Sequence, residues 1–179
     1  MLVCTTAGAR AGDECASDRV AYLLTRALAY DDNLKARVGG QLNIAILYRA
    51  EIAGSERLAS TMSEAFTTLS GAAIQGVPMR VRPLAFEDVA SLVRAVVTQR
   101  IGGIFVRDEL ALDAAGIGKI CRDRKVIMLT CSEQLVRHGA ALGVVQGGNK
   151  GALLVNLPAS RAQGAAFGSD LLRVARVLR

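Results

Sequence analysis

The sequence predicts an α/β fold: a single three-layer α/β/α sandwich whose mostly parallel sheet ends in a β-hairpin and a closing helix. Three observations carry this reading. Short apolar runs alternate with amphipathic stretches of about 10–15 residues, an order that calls for parallel strands joined by right-handed crossovers. The runs LNIAILY (42–48), IGGIFVRD (101–108) and KVIMLTC (125–131) are continuous rather than alternating, as strands covered on both faces are. No linker, internal repeat or low-complexity tract divides the 179 residues, a length suited to one core.

The elements follow in order. Residues 1–17 are small-residue rich and unpatterned, so the domain is expected over 18–179. A first helix is expected over 18–30, where Val20, Leu23, Leu24, Ala27 and Leu28 recur at helical spacing. Tyr30-Asp31-Asp32-Asn33 reads as a helix end or tight turn, and Gly39-Gly40 breaks the chain before the first strand. The next helix begins near Ser55 and places Leu58, Met62, Ala65, Phe66 and Leu69 on one face. Pro78 precedes a short strand, MRVRPLA (79–85). Phe86, Val89, Leu92, Val93, Val96 and Val97 mark another amphipathic helix, leading into the strand at 101–108. Residues 111–123 form a weaker helix, interrupted by Gly116 and Gly118, before the strand at 125–131. A short helix at 133–138 is followed by ALGVVQGGNKGALLVNL (141–157), two apolar runs split by a turn, as in a hairpin. The last helix starts near Ser160. It buries Phe167, Leu171, Val174, Ala175 and Leu178 and turns Arg173, Arg176 and Arg179 outward.

Composition excludes more than it names. Hydrophobic residues make up 51% and charged residues 21%, which excludes an intrinsically disordered chain. His138 is the single histidine, so a three-His zinc site cannot be assembled within one chain, and no CxxC or CxxH spacing suggests zinc. Absent Trp and 4% aromatics leave little for a base-stacking surface. The net charge of +6 is scattered, and its densest run, CRDRK (121–125), is broken by Asp123. That pattern suits a solvated surface or an acidic partner rather than nucleic acid. No apolar run approaches the roughly 20 residues that span a bilayer. Ala9-Arg10-Ala11 before Gly12 resembles a signal-cleavage pattern, but a charged n-region and an apolar core are missing. Residues 1–17 are therefore read as a signal remnant or a disordered tail.

Nucleotide motifs fail individually. Gly116-Ile117-Gly118-Lys119 lacks the first Gly and the final Ser/Thr of a Walker A loop, with Asp113 and Ile120 standing there. RAEIAGSE after the first strand is no dinucleotide fingerprint, and the glycines of 147–151 read as turn chemistry. No cofactor or metal is expected. Four cysteines are present: Cys4, Cys15, Cys121 and Cys131. Cys121 ends a helix and Cys131 ends the strand running back from it, so their sulfurs are expected too far apart for a disulfide. A nucleophile reading pairs Cys131 with His138, but no orienting Asn or Asp accompanies them. A histidine at a helix C-terminus is favourable without any catalytic role. Open α/β sheets bind ligands outside the carboxyl ends of their strands. That rule nominates Tyr48 and Arg49, Arg107 and Asp108, and Cys131 and Ser132 as a candidate ligand-binding face. The competing reading makes them solvated loop residues and caps, with Thr130-x-x-Glu133 as a capping box.

Two stretches carry a family resemblance. LLTRALAYDDNLKARVGGQLNIAILYR (23–49) combines a helix, a Tyr-Asp turn and an apolar strand. ALLVNLPASRAQGAAFGSDLLRVARVLR (152–179) combines an apolar strand, Asn156, small residues, and then Ser169, Leu171, Leu172 and Ala175. Both resemble the YfiR-like family of bacterial periplasmic proteins, with GGIFVRD and KVIMLTCSE in the intervening strand positions. The resemblance implies a non-enzymatic periplasmic regulator that contacts an inner-membrane signalling protein, such as a diguanylate cyclase of cyclic di-GMP signalling or a histidine kinase. The cysteines depart from the best-known member, which puts redox control by a matched disulfide set in doubt. Two other expectations compete: a single lobe that senses a small ligand, held as a homodimer around it, and a cytosolic α/β enzyme using Cys131.

Overall fold

The computed structural model describes residues 17–69, 73–147 and 150–179. Seven strands form one sheet in the order β2-β1-β3-β4-β5-β6-β7: β1 (Leu42–Tyr48), β2 (Met79–Ala85), β3 (Ile101–Val106), β4 (Ile127–Thr130), β5 (Leu142–Gly147), β6 (Lys150–Asn156) and β7 (Arg176–Leu178). Strands β1 to β5 run parallel, β6 pairs antiparallel with β5, and β7 runs parallel to β6. The helices are α1 (Ser17–Leu28), α2 (Leu34–Val38), α3 (Ser55–Leu69), α4 (Val89–Thr98), α5 (Ala114–Arg124), α6 (Glu133–Arg137), α7 (Leu157–Ala162) and α8 (Ser169–Val174).

Two cores explain the layering. Leu42, Ile44 and Ile46 of β1 pack with α1 and α3 on one face, whereas Ala45 and Leu47 pack with α4 and α5 on the other. Strand β4 divides the same way, with Ile127 and Leu129 on the first face and Met128 on the second. A side-chain period of two with both faces apolar requires helices on both sides. Each fully buried Leu or Ile contributes about 1.5–3 kcal/mol, far more than the propensity of any one residue. Gly143 shows how tight this packing is, since a Cβ there would lie 2.2 Å from Val136 Cγ2 of α6.

The β2 edge is blunted by its own sequence. The Leu42 N–H donates to Pro78 O and the Phe86 N–H to Tyr48 O, so even-numbered β2 residues turn their backbone toward β1. Pro83 falls at an outward position, where its missing N–H costs the ladder nothing and denies a donor to any added strand.

The predicted α/β sandwich and hairpin are present, with three local corrections. The closing helix from Ser160 does not form. Instead α7 starts at Leu157, capped by Asn156, whose side chain accepts from the Ala159 N–H. It ends before Gly164, held at φ +85°. Phe167 then bridges to Asp31, α8 follows, and Leu178 lies in β7 rather than on a helix face. Gly164 and the pull of the β6 edge outweigh the helical spacing. Second, α5 begins only at Ala114, after a 3₁₀ turn at Asp108–Asp113, and Gly116 and Gly118 do not interrupt it. At Gly116 a Cβ would lie 2.9 Å from Val89 Cγ2, so this glycine admits α4. Third, a short helix, α2, occupies Leu34–Val38 between the expected turn and Gly39, where no element was expected.

The Tyr-Asp turn owes its place to a buried ion pair. Asp31 is fully buried and accepts from the N–H groups of Asn33 and Ala166 and from Arg37 Nη2 at 3.0 Å. Arg37 also donates from Nη1 to Gly102 O at 2.7 Å, tying this turn to the start of β3.

Candidate functional site

The sheet changes winding direction between β1 and β3, because the chain leaves β1 toward β2 and returns to the other side for β3. A crevice outside the carboxyl ends of the strands is expected at such a point. The three predicted pairs do assemble there. Tyr48 ends β1 and Arg49 follows it, Arg107 and Asp108 follow β3, and Cys131 and Ser132 follow β4, on adjacent strands. Val106 pairs with Thr130, so Arg107 and Cys131 leave the sheet at the same level.

Their chemistry differs from residue to residue. Arg49 is already engaged: Nη1 donates to Glu51 Oε1 at 2.9 Å and Nη2 pairs with Asp113, across the crevice at the end of the 3₁₀ turn. Its guanidinium lies 5.3 Å from the Phe86 ring centroid, a cation–π contact. The hydrogen bond to Asp113 first, and that to Glu51 second, hold Arg49 more firmly protonated than a free arginine. The Glu51 carboxyl is held below its usual range, by a backbone hydrogen bond first and by Arg49 second. Beneath this pair the buried Ser55 hydroxyl accepts from the Arg49 N–H at 3.0 Å and donates to Glu109 Oε1. Two side-chain links therefore join the β1 and β3 loops over the crevice.

Arg107, half-buried ahead of the 3₁₀ turn, makes no ion pair among the described residues. Asp108 beside it is exposed. This rim thus offers one uncompensated guanidinium next to an exposed carboxylate, while Arg49 is neutralised. Ser132 is buried and caps α6 by accepting from the Leu135 N–H at 3.3 Å. Thr130 is not that cap, since its Oγ1 accepts from the Ser132 N–H. Glu51, Phe86, Glu109 and Asp113 were not nominated for this face from the sequence, and Ser55 was read only as a helix start. Asp113 lies 64 positions from Arg49, and no local spacing marks it.

The cysteine chemistry is limited. Cys121 and Cys131 form no disulfide with each other, in line with the separation expected for them. Burial pushes the Cys121 thiol up to about 12, so it carries no thiolate near neutral pH. Cys131 and His138 stand at opposite ends of α6, roughly 10 Å apart at 1.5 Å per residue. His138 Nδ1 lies 2.7 Å from Gln134 O at the helix C-cap, which occupies it locally. Cys4 and Cys15 lie outside the described residues. Among the described residues no helix is long and apolar enough to cross a membrane.

The YfiR/HmsC-like family model matches residues 36–176, from α2 through the start of β7. The chain belongs to the YfiR/HmsC-like family. The two stretches singled out in the sequence contribute to its fold rather than to chemistry: Asp31 anchors a turn, Asn156 caps α7 and Leu171 is buried. No curated protein matches the chain. Solved structures share its architecture at low identity. An ABC domain bound to L-tryptophan from Streptococcus pneumoniae aligns with TM-score 0.61 and 12% identity, over 85% of this chain and 60% of that one. A conserved domain protein from Vibrio cholerae gives 0.60 and 13%, over 82% and 57%. A ligand-free, open substrate-binding protein with adhesive properties from Clostridium difficile gives 0.58 and 12%, over 83% and 58%. The chain thus spans under two thirds of each of these structures, and the likeness is one of fold.

Proposed function

We propose that this family member is a non-enzymatic periplasmic regulator that binds an inner-membrane signalling protein, of the diguanylate cyclase or histidine kinase kind, and modulates its activity. The observation that carries the reading is the family match across nearly the whole described fold. The described side chains agree with it: at the rim Arg49 is spent on two carboxylates, and away from it Cys121 is protonated and the lone histidine is a helix cap. Affinity capture from solubilised membranes is the test. Recovery of a cyclase or kinase with a periplasmic domain, lost on adding soluble competitor, is expected. Recovery of cytosolic enzymes alone would overturn the proposal. A reactive Cys131 thiolate, with activity lost in Cys131→Ser, would instead favour an enzyme.

A second reading is favoured by one observation at the rim. Arg107 has no ion-pair partner among the described residues, and Asp108 is exposed beside it. Together with Tyr48, Arg49, Cys131 and Ser132 they offer a face for a small ligand bearing both charges, with a second copy of the chain as the covering body. A thermal-shift screen with amino acids tests it: stabilisation that disappears in Arg107→Ala is expected. No shift with any amino acid would sink this reading.

A further inference from the structure

Away from the rim, an open groove of about 610 Å³ wraps the β2 edge at the amino-terminal end of the strands. Asn43, Arg80, Arg82, Thr98 and Gln99 line it, and none of its lining residues is acidic. Arg80 and Arg82 alternate on β2, so both project from the same face of the sheet, about 6.6 Å apart along the strand. Both are exposed. That face is also the one on which Leu84 packs toward α4, yet α4 ends at Thr98 and leaves the start of β2 uncovered. Arg82 spends one N–H on Gln99 Oε1, while Arg80 has no partner among the described residues. The floor is fixed, because Asn43 Nδ2 donates to Gln99 O and Arg100 O, each at 3.1 Å.

We propose that this groove is a binding site for a phosphate-type oxyanion, gripped by the paired guanidinium forks of Arg80 and Arg82. Forked N–H groups match phosphate oxygens two at a time. The helix ends nearby oppose the site: α3 and α4 both finish at this end of the sheet, each placing about half a negative charge there. Two full positive charges outweigh them. Inward-facing charges can also serve merely to protect an edge strand, and that role makes a different prediction. Lysine protects an edge as well as arginine does, but it cannot supply the fork.

Two probes separate the sources of such a group: inorganic pyrophosphate, followed by amide chemical shifts, and phosphatidylglycerol vesicles against phosphatidylcholine vesicles, followed by sedimentation. Saturable binding is expected for one or both, centred on β2 resonances and weakened at high salt. Pyrophosphate binding identifies a free anion, and vesicle binding alone identifies a lipid headgroup. Arg80→Ala with Arg82→Ala should weaken binding about tenfold or more, and Arg80→Lys with Arg82→Lys should fail to restore it. The exposed pair Arg122→Ala with Arg124→Ala should leave it unchanged. Absence of binding for both probes, full binding by the lysine pair, or equal loss in the Arg122 and Arg124 control overturns the proposal. None of these outcomes depends on the membrane partner.

Discussion

Two arginine–aspartate pairs hold the ends of this sheet, and they differ in kind. At the amino-terminal end Asp31 and Arg37 are 0% and 3% exposed, and Asp31 also accepts two backbone N–H groups. At the carboxyl end Arg49 and Asp113 are 23% and 26% exposed, and water reaches both. The first pair has exchanged hydration for a fixed set of partners, so removing either member strands the other in the interior. The second keeps solvent as an alternative partner, so a ligand or a protein can displace Asp113 or Glu51 at modest cost. The same chemistry thus serves the fold at one end and leaves the other open to exchange.

The largest expected effect breaks the buried pair. Asp31→Ala should cost about 3–5 kcal/mol in urea unfolding, because Arg37 is left buried and uncompensated. Asp31→Leu combined with Arg37→Met should recover much of that loss. A cost no greater than that of a surface substitution would refute the contrast between the two ends.

Next comes Asn156→Ala, which removes the α7 cap and the 2.8 Å bond from Asn156 Nδ2 to Val136 O. It should lower stability by about 1–2 kcal/mol, read from the same urea curves. Arg49→Ala should change the melting temperature least, since its partners stay hydrated. Its effect should appear in capture of the membrane partner; a large destabilisation with unchanged capture would reverse the assignment of roles.

The smallest effect is in the pH dependence. Glu51 and Asp88 are both held below the ordinary carboxylate range of about 4. For Asp88 the cause is first its bond from the Ser91 N–H at the α4 cap. A lowered carboxyl contributes stability that is present above its unfolded value and lost as pH falls through its folded one. Stability should therefore hold constant near neutrality and decline below about pH 4, with Glu51→Gln and Asp88→Asn each flattening that decline slightly. A decline beginning near pH 6 would point to another group.

Much of the architecture was legible because burial on two faces leaves a mark in the local sequence. LNIAILY and MRVRPLA became β1 and β2 over their full expected lengths, and the expected rim pairs do lie together on β1, β3 and β4. Helical spacing at 160–178 misled because Phe167 and Leu178 were spaced like a helix face while Gly164, at φ +85°, broke the backbone. Period alone cannot tell one helix face from two short helices and a strand, and Val174, expected on the buried face, is exposed.

What is written along the chain, then, is the alternation of apolar strands and covering helices, since each residue's preference for burial is its own property. Its composition also argued against a histidine-based metal site. Folding alone brought together groups far apart in sequence: Asp113 onto Arg49, Glu109 onto Ser55, Ala166 onto Asp31. Those contacts set which arginine is spent and which is left uncompensated. An ion pair depends on distances in space, and no pattern of neighbours along the chain encodes them.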